Sequence, residues 1–135
     1  MHSLSLQATE KNWRLFMVRK EDAGFLRFQT AVFERDAYTC QFCGFSAQQH
    51  FEVVNLDSNF THNRLGNLTT ACAFCWPCFF LEANDQLPYG AGTLIFCSEL
   101  SQGELNALCH TLFFSIANGD INATESRNVY RGLKL

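Results

Sequence analysis

The spacing of apolar residues changes several times along the chain, and each change predicts an element. Trp13 to Val18 is an almost unbroken apolar run and predicts an N-terminal strand. Phe25, Phe28 and Val32 recur at helical spacing, so Phe25 to Phe33 predicts a short amphipathic helix. Phe51 to Leu56 predicts a strand, followed by a loop built on the turn-formers Asp57-Ser58-Asn59 and His62-Asn63. Pro77 suits the first turn of a helix or the position just before one, because an interior proline costs about 3 kcal/mol. Tyr89 to Gly92 predicts a turn, and Thr93 to Cys97 a buried strand. Ser101 and Glu104 form a capping box. The helix it opens carries Leu105, Leu108, Cys109, Leu112, Phe113 and Ile116 along one face and ends near Asn118-Gly119. Ser126 to Leu135 reads either as a basic helix or as a frayed tail.

Composition narrows the class. Within 135 residues, 47% are hydrophobic and 14 are Phe, which excludes disorder and predicts one compact domain, residues 1–135, with an aromatic interior. The formal charge of -3 weakens the case for a nucleic-acid partner, since phosphate binding usually brings a basic surplus. The N-terminus has neither a basic n-region nor an apolar h-region. No apolar stretch approaches the roughly 20 residues that span a bilayer. The expectation is a cytoplasmic protein, and the triplets at Asn59, Asn67 and Asn122 are taken as chance rather than glycosylation sites.

In a reducing compartment seven cysteines favour metal ligation over disulfides. Cys40 and Cys43 form one Cys-x-x-Cys knuckle, and Cys72 and Cys75 form another. Gly44, just after the first, sits where such a turn often needs a positive φ. Two knuckles can place four thiolates at the corners of a tetrahedron around one structural Zn²⁺. A redox Cys-x-x-Cys would call for a βαβ setting, which is missing, and four cysteines can also hold iron. Cys78 could replace Cys75 as a ligand, and spacing does not choose between them. Cys97 and Cys109 fall at apolar positions and read as core packing.

The order knuckle, strand, loop, Asn-Leu, knuckle, helix resembles the HNH family of ββα-metal endonucleases. The residues that carry the likeness are Cys40 and Cys43, Glu52-Val53-Val54-Asn55-Leu56, and Asn67-Leu68-Thr69-Thr70-Ala71-Cys72 with Cys75. The resemblance implies an α+β fold: a small single domain on an HNH-like (ββα) zinc-knuckle scaffold with added helices. In that family the strand carries His-His and another His follows the last Cys. Here those positions read Val54-Asn55 and Trp76, while Asn67 matches the family's middle Asn. Asn is no base near neutral pH, and Val and Trp do not ligate Mg²⁺, so no enzyme activity is expected. His50 and His62 flank the strand and are read as surface histidines, although either could supply a base after a register shift.

Further blocks resemble the DotN (IcmJ) family of the Dot/Icm type IVB secretion system. They are Cys40 to Phe45, Glu52 to Asp57, Asn67 to Cys72, Cys78-Phe79-Phe80-Leu81-Glu82, Gly92 to Ile95 and Glu104 to His110. The resemblance implies a non-catalytic, monomeric subunit of the coupling complex at the inner membrane. It would bind the C-terminal tail of the coupling ATPase DotL, alongside DotM and effector adaptors, with no insertion into the membrane. Family members extend further, which implies that this chain is truncated at the C-terminus or is a shorter relative. Apolar residues such as Trp76, Phe79, Phe80, Phe113 and Phe114 could line a groove for a peptide or lie in the interior. Two alternatives stay open: a nucleic-acid-binding zinc module that does not cleave, and an active nuclease using His50 or His62. A nucleic-acid module would need a basic face from Arg27, Arg35, Arg64, Arg127, Arg131 and Lys134.

Overall fold

The computed structural model describes residues 1–87 and 92–134. Its element order is α1 (Glu10–Arg19), α2 (Ala23–Arg35), β1 (Glu52–Asn55), β2 (Leu68–Ala71), α3 (Gln102–Asn118) and α4 (Ala123–Leu133). Short 3-10 turns occupy Leu65–Asn67, Trp76–Phe79 and Leu81–Gln86. The fold class is α+β, as expected. The two strands pair antiparallel, with Val53 opposite Thr70 and Val54 opposite Thr69. The predicted order of knuckle, strand, loop, Asn-Leu and knuckle is present, and Leu68–Ala71 adds a second strand that the sequence pattern did not predict; the backbone after the second knuckle makes 3-10 turns rather than an α-helix. Among the described residues no helix is long and apolar enough to cross a membrane.

The first segment is a helix, which corrects the strand predicted from Trp13 to Val18. Its buried residues are Asn12, Phe16 and Arg19, at helical spacing, while Met17 and Val18 face solvent. Phe16 enters an aromatic cluster, 4.6 Å from Phe80 and stacked at 5.6 Å on Trp76. Helix α2 forms where predicted, capped by the Asp22 side chain, which accepts from the Gly24 amide at 2.8 Å. Its Phe25 and Val32 pack with Val53 and Leu68 against the strand pair. At its C-terminal end, Arg35 donates to the Leu65 and Leu68 carbonyls and Asp36 accepts from the Thr70 amide. These bonds fix the strand pair, and with it the knuckles, relative to α2.

The strand predicted over Thr93 to Cys97 does not form. That segment has no regular structure, and Leu94 and Phe96 are exposed. The predicted turn before it lies outside the described residues apart from Gly92. Helix α3 matches its prediction closely. Both bonds of the capping box are made, and Gly119 closes the helix at φ 59°. Helix α4 follows, so the tail forms a helix rather than fraying, and Phe113 meets Tyr130 edge-on at 4.9 Å.

Helix α3 approaches the first knuckle so closely that a Cβ on Gly103 would lie 2.7 Å from the Phe42 carbonyl oxygen. Gly103→Ala is therefore expected to destabilise the protein by about 1–3 kcal/mol, even though alanine is the better helix former. Thermal unfolding checks this, and an unchanged or raised midpoint would mean that α3 can slide off the knuckle freely.

Candidate metal centre

Each knuckle is a tight turn that aims two sulfurs the same way. In the first, the Gly44 amide donates to the Cys40 carbonyl at 2.9 Å and the Cys40 amide to the Phe45 carbonyl at 2.8 Å. Gly44 adopts φ 83°, the left-handed geometry anticipated for it. In the second, the amides of Cys75 and Trp76 both donate to the Cys72 carbonyl at 3.0 Å. A bond from the Gln41 amide to the Thr70 carbonyl, 3.0 Å, hooks the first knuckle onto β2 just ahead of the second. Two remote Cys-x-x-Cys turns are thereby brought face to face.

Their four sulfurs, from Cys40, Cys43, Cys72 and Cys75, lie within 4.8 Å of one another, and all four residues are buried. Cys43 Sγ and Cys72 Sγ are 3.6 Å apart, far beyond a disulfide bond. A tetrahedral Zn²⁺ with bonds of about 2.3 Å separates its thiolates by about 3.8 Å, so a four-coordinate ion fits this spacing. Cys78, the alternative to Cys75, stands outside the group. Its thiol donates to the Phe74 carbonyl at 3.5 Å, and burial pushes its pKa up to about 11.

Proton sharing among the four thiols is uneven. Contacts with Cys40, Cys72 and Cys75 drive Cys43 well below the usual thiol range. For Cys40, contact with Cys43 raises the pKa but contacts with Cys72 and Cys75 outweigh it, leaving about 6. Cys72 and Cys75 move the opposite way, pushed up by their contacts with Cys40 and Cys43. Four thiolates this close repel one another, and a divalent cation offsets that repulsion. The arrangement can hold a metal ion; the donor set is complete without solvent, so it suits a closed structural site better than a catalytic one.

Two residues beside the sulfurs went unrecognised as part of the site in the sequence. His110 Nε2 lies 3.2 Å from Cys72 Sγ, and Asn106 Nδ2 lies 3.3 Å from Cys75 Sγ. The signal for them was present, as a polar pair at i and i+4 on one side of the helix. Cys97 and Cys109 are half-buried and take no part in the cluster, so neither is the fully packed core residue expected.

The other predicted positions lie apart from the sulfurs in role. Val54 and Asn55 are fully buried, and Trp76 is nearly so. Asn55 Oδ1 accepts from Arg19, while its Nδ2 donates to the carbonyls of Asn59 (2.8 Å) and His62 (3.1 Å). Asn67 donates to Asp57 at 2.9 Å and to the His62 carbonyl at 2.8 Å. His62 is partly exposed and pairs with Asp57 at 2.6 Å, a contact that holds the Asp57 pKa down to about 2. His50 sits exposed at φ 69° just ahead of β1. Trp76, Phe79 and Phe80 are interior, and Phe114 is exposed.

No protein-family model matches the chain. A search of curated proteins finds the type 4 apparatus protein DotN of Legionella pneumophila, 49% identical over 131 residues. The match takes in 97% of this chain. Over the span it covers, the chain is a relative of that DotN protein. It covers 61% of the length of that DotN protein. An identity this high over nearly the whole chain implies a shared fold across the matched residues.

Proposed function

We propose that this chain is a non-catalytic structural subunit of a type IVB secretion apparatus of the Dot/Icm kind. The observation that carries the reading is its 49% identity to a type 4 apparatus protein along almost the whole chain. In this reading the subunit works on the cytoplasmic side of the inner membrane, within the coupling complex. It binds the C-terminal tail of the ATPase DotL and helps assemble the platform of DotM and adaptors that recruits effectors. The metal is one structural Zn²⁺ held by Cys40, Cys43, Cys72 and Cys75, on a scaffold derived from the HNH endonucleases.

Physical support for the absence of catalysis comes from the three positions that would carry HNH chemistry. Val54 and Trp76 are packed in the core, and the Asn55 side chain is committed to four partners. None can reach a phosphodiester without unfolding its surroundings. The charge of -3 does not favour DNA, and of the basic candidates Arg35 is already engaged with Asp36 and two carbonyls.

The test mixes the purified zinc-loaded chain with a purified DotL C-terminal segment and runs the mixture on a sizing column at moderate salt. Co-elution in fixed ratio is the expected result. Separate elution, together with salt-sensitive retention of DNA, would instead favour a nucleic-acid module. A parallel plasmid assay with Mg²⁺, Mn²⁺ or Ni²⁺ is expected to give no nicking; nicking abolished by His62→Ala would overturn the non-catalytic reading.

A further inference from the structure

The face of α3 turned toward the sulfurs is polar at its middle. Asn106, His110 and Phe113 occupy positions i, i+4 and i+7 and therefore share one side of the helix. Phe113 meets Phe74 edge-on at 5.7 Å, between the ligand positions Cys72 and Cys75. The His110 ring is clamped between Phe45 and Phe74, with centroids at 3.8 and 4.1 Å and interplanar angles of 2° and 18°. Clamping fixes the plane of the imidazole and points Nε2 at Cys72 Sγ.

Asn106 is held just as firmly. It is buried, its Oδ1 accepts from Gln102 at 2.9 Å, and its Nδ2 donates to the Phe74 carbonyl at 3.0 Å as well as facing Cys75 Sγ at 3.3 Å. The Phe74 carbonyl can only accept, which fixes the amide nitrogen as the end that faces the sulfur. A metal-bound thiolate offers only lone pairs, so a neighbouring polar atom can satisfy it only by donating.

We propose that His110 and Asn106 are outer-shell hydrogen-bond donors to the metal-bound thiolates of Cys72 and Cys75, so that α3 is part of the metal site. The inference rests on the four-cysteine metal reading given above. Each donor stabilises a thiolate against reprotonation and thereby slows loss of the ion. Both bonds reach the same knuckle from one helix, while Gly103 abuts the other knuckle at Phe42, so α3 bridges the two halves of the site.

Packing and hydrogen bonding by His110 are separable. His110→Phe keeps a ring between Phe45 and Phe74 and removes the donor; His110→Gln loses the ring and keeps a donor near the Nε2 position. Metal content of the full chain is measured first, then the rate of zinc transfer to a chromogenic chelator, then the thiolate-to-cobalt charge-transfer band after cobalt substitution. His110→Phe is expected to release zinc about tenfold faster or more and to shift the band, with His110→Gln near the wild type. Asn106→Leu, an independent variant at Cys75, is expected to raise the release rate as well. The inference is overturned if His110→Phe and Asn106→Leu release zinc at the wild-type rate, or if His110→Gln is the faster of the two His110 variants. A wild-type chain that binds no metal at all would overturn the four-cysteine reading itself, and this inference with it.

Discussion

Replacing Cys40 or Cys72 with Ser is expected to leave the chain largely unfolded. A structural Zn²⁺ contributes about 10–16 kcal/mol, whereas whole domains are stable by only about 5–15 kcal/mol. The sulfurs sit at the junction of nearly everything else: Cys40, Cys43, Cys72 and Cys75 belong to the same buried cluster as Phe16, Trp76 and Phe80. Losing one ligand opens that cluster from its centre. Serine keeps the shape, but its hydroxyl does not ionise near neutral pH and is a poor zinc ligand. Cys97→Ser and Cys109→Ser, at half-buried positions away from the site, are expected to cost well under about 1 kcal/mol. Circular dichroism and thermal melting compare the two classes. Native-like melting of the first pair would mean that the cysteines merely pack.

Arg19→Ala is expected to cost about 3–5 kcal/mol. Arg19 is only 6% exposed yet has no carboxylate hydrogen-bonded to it among the described residues. Its guanidinium donates to Asn55, to Asn63 and to the Val53 carbonyl. Phe25 and Phe60 lie against it at 4.4 and 4.8 Å, which favours a cation through their ring faces. Burial lowers its pKa to about 10, partly opposed by Glu52, so it remains charged at neutrality. Removing it leaves a cavity in the place where β1 meets the loop and takes a donor from Asn55, Asn63 and the Val53 carbonyl, of which Asn63 keeps the Asn55 amide. Lys20→Ala, which breaks a partly exposed 2.7 Å ion pair with Glu52, is the control and is expected to cost under about 1 kcal/mol. Urea unfolding of the zinc-loaded protein measures both, and equal small losses would show that water or a neighbour takes over from Arg19.

The legible parts of the sequence were those set by local chemistry. Cysteine spacing, the Ser101–Glu104 capping box, Gly44 and Gly119 each act within a few residues, and each adopts its expected geometry. The misread segments are those where tertiary context decides. Trp13 to Val18 looks like a strand only while Asn12 and Arg19 are assumed to be exposed. Burying those two polar residues against Ser58, Asn55 and Asn63 puts Asn12, Phe16 and Arg19 on the inner face of a helix and leaves Met17 and Val18 outside. Thr93 to Cys97 has strand-forming residues, but among the described residues it pairs with neither β1 nor β2, and Leu94 and Phe96 stay exposed. The apolar stripe of α3 is its plainest sequence feature, whereas Asn106 and His110 beside it are the residues that face the sulfurs. A thiolate cluster, unlike a hydrocarbon core, draws polar residues inward.

Native mass spectrometry of the purified full chain tests the central claim most directly. The expected spectrum shows one zinc per folded chain, lost on acid unfolding to release a polypeptide whose seven cysteines all react with an alkylating reagent. A folded chain that carries no metal, or one with the knuckle cysteines joined in disulfides, would contradict it.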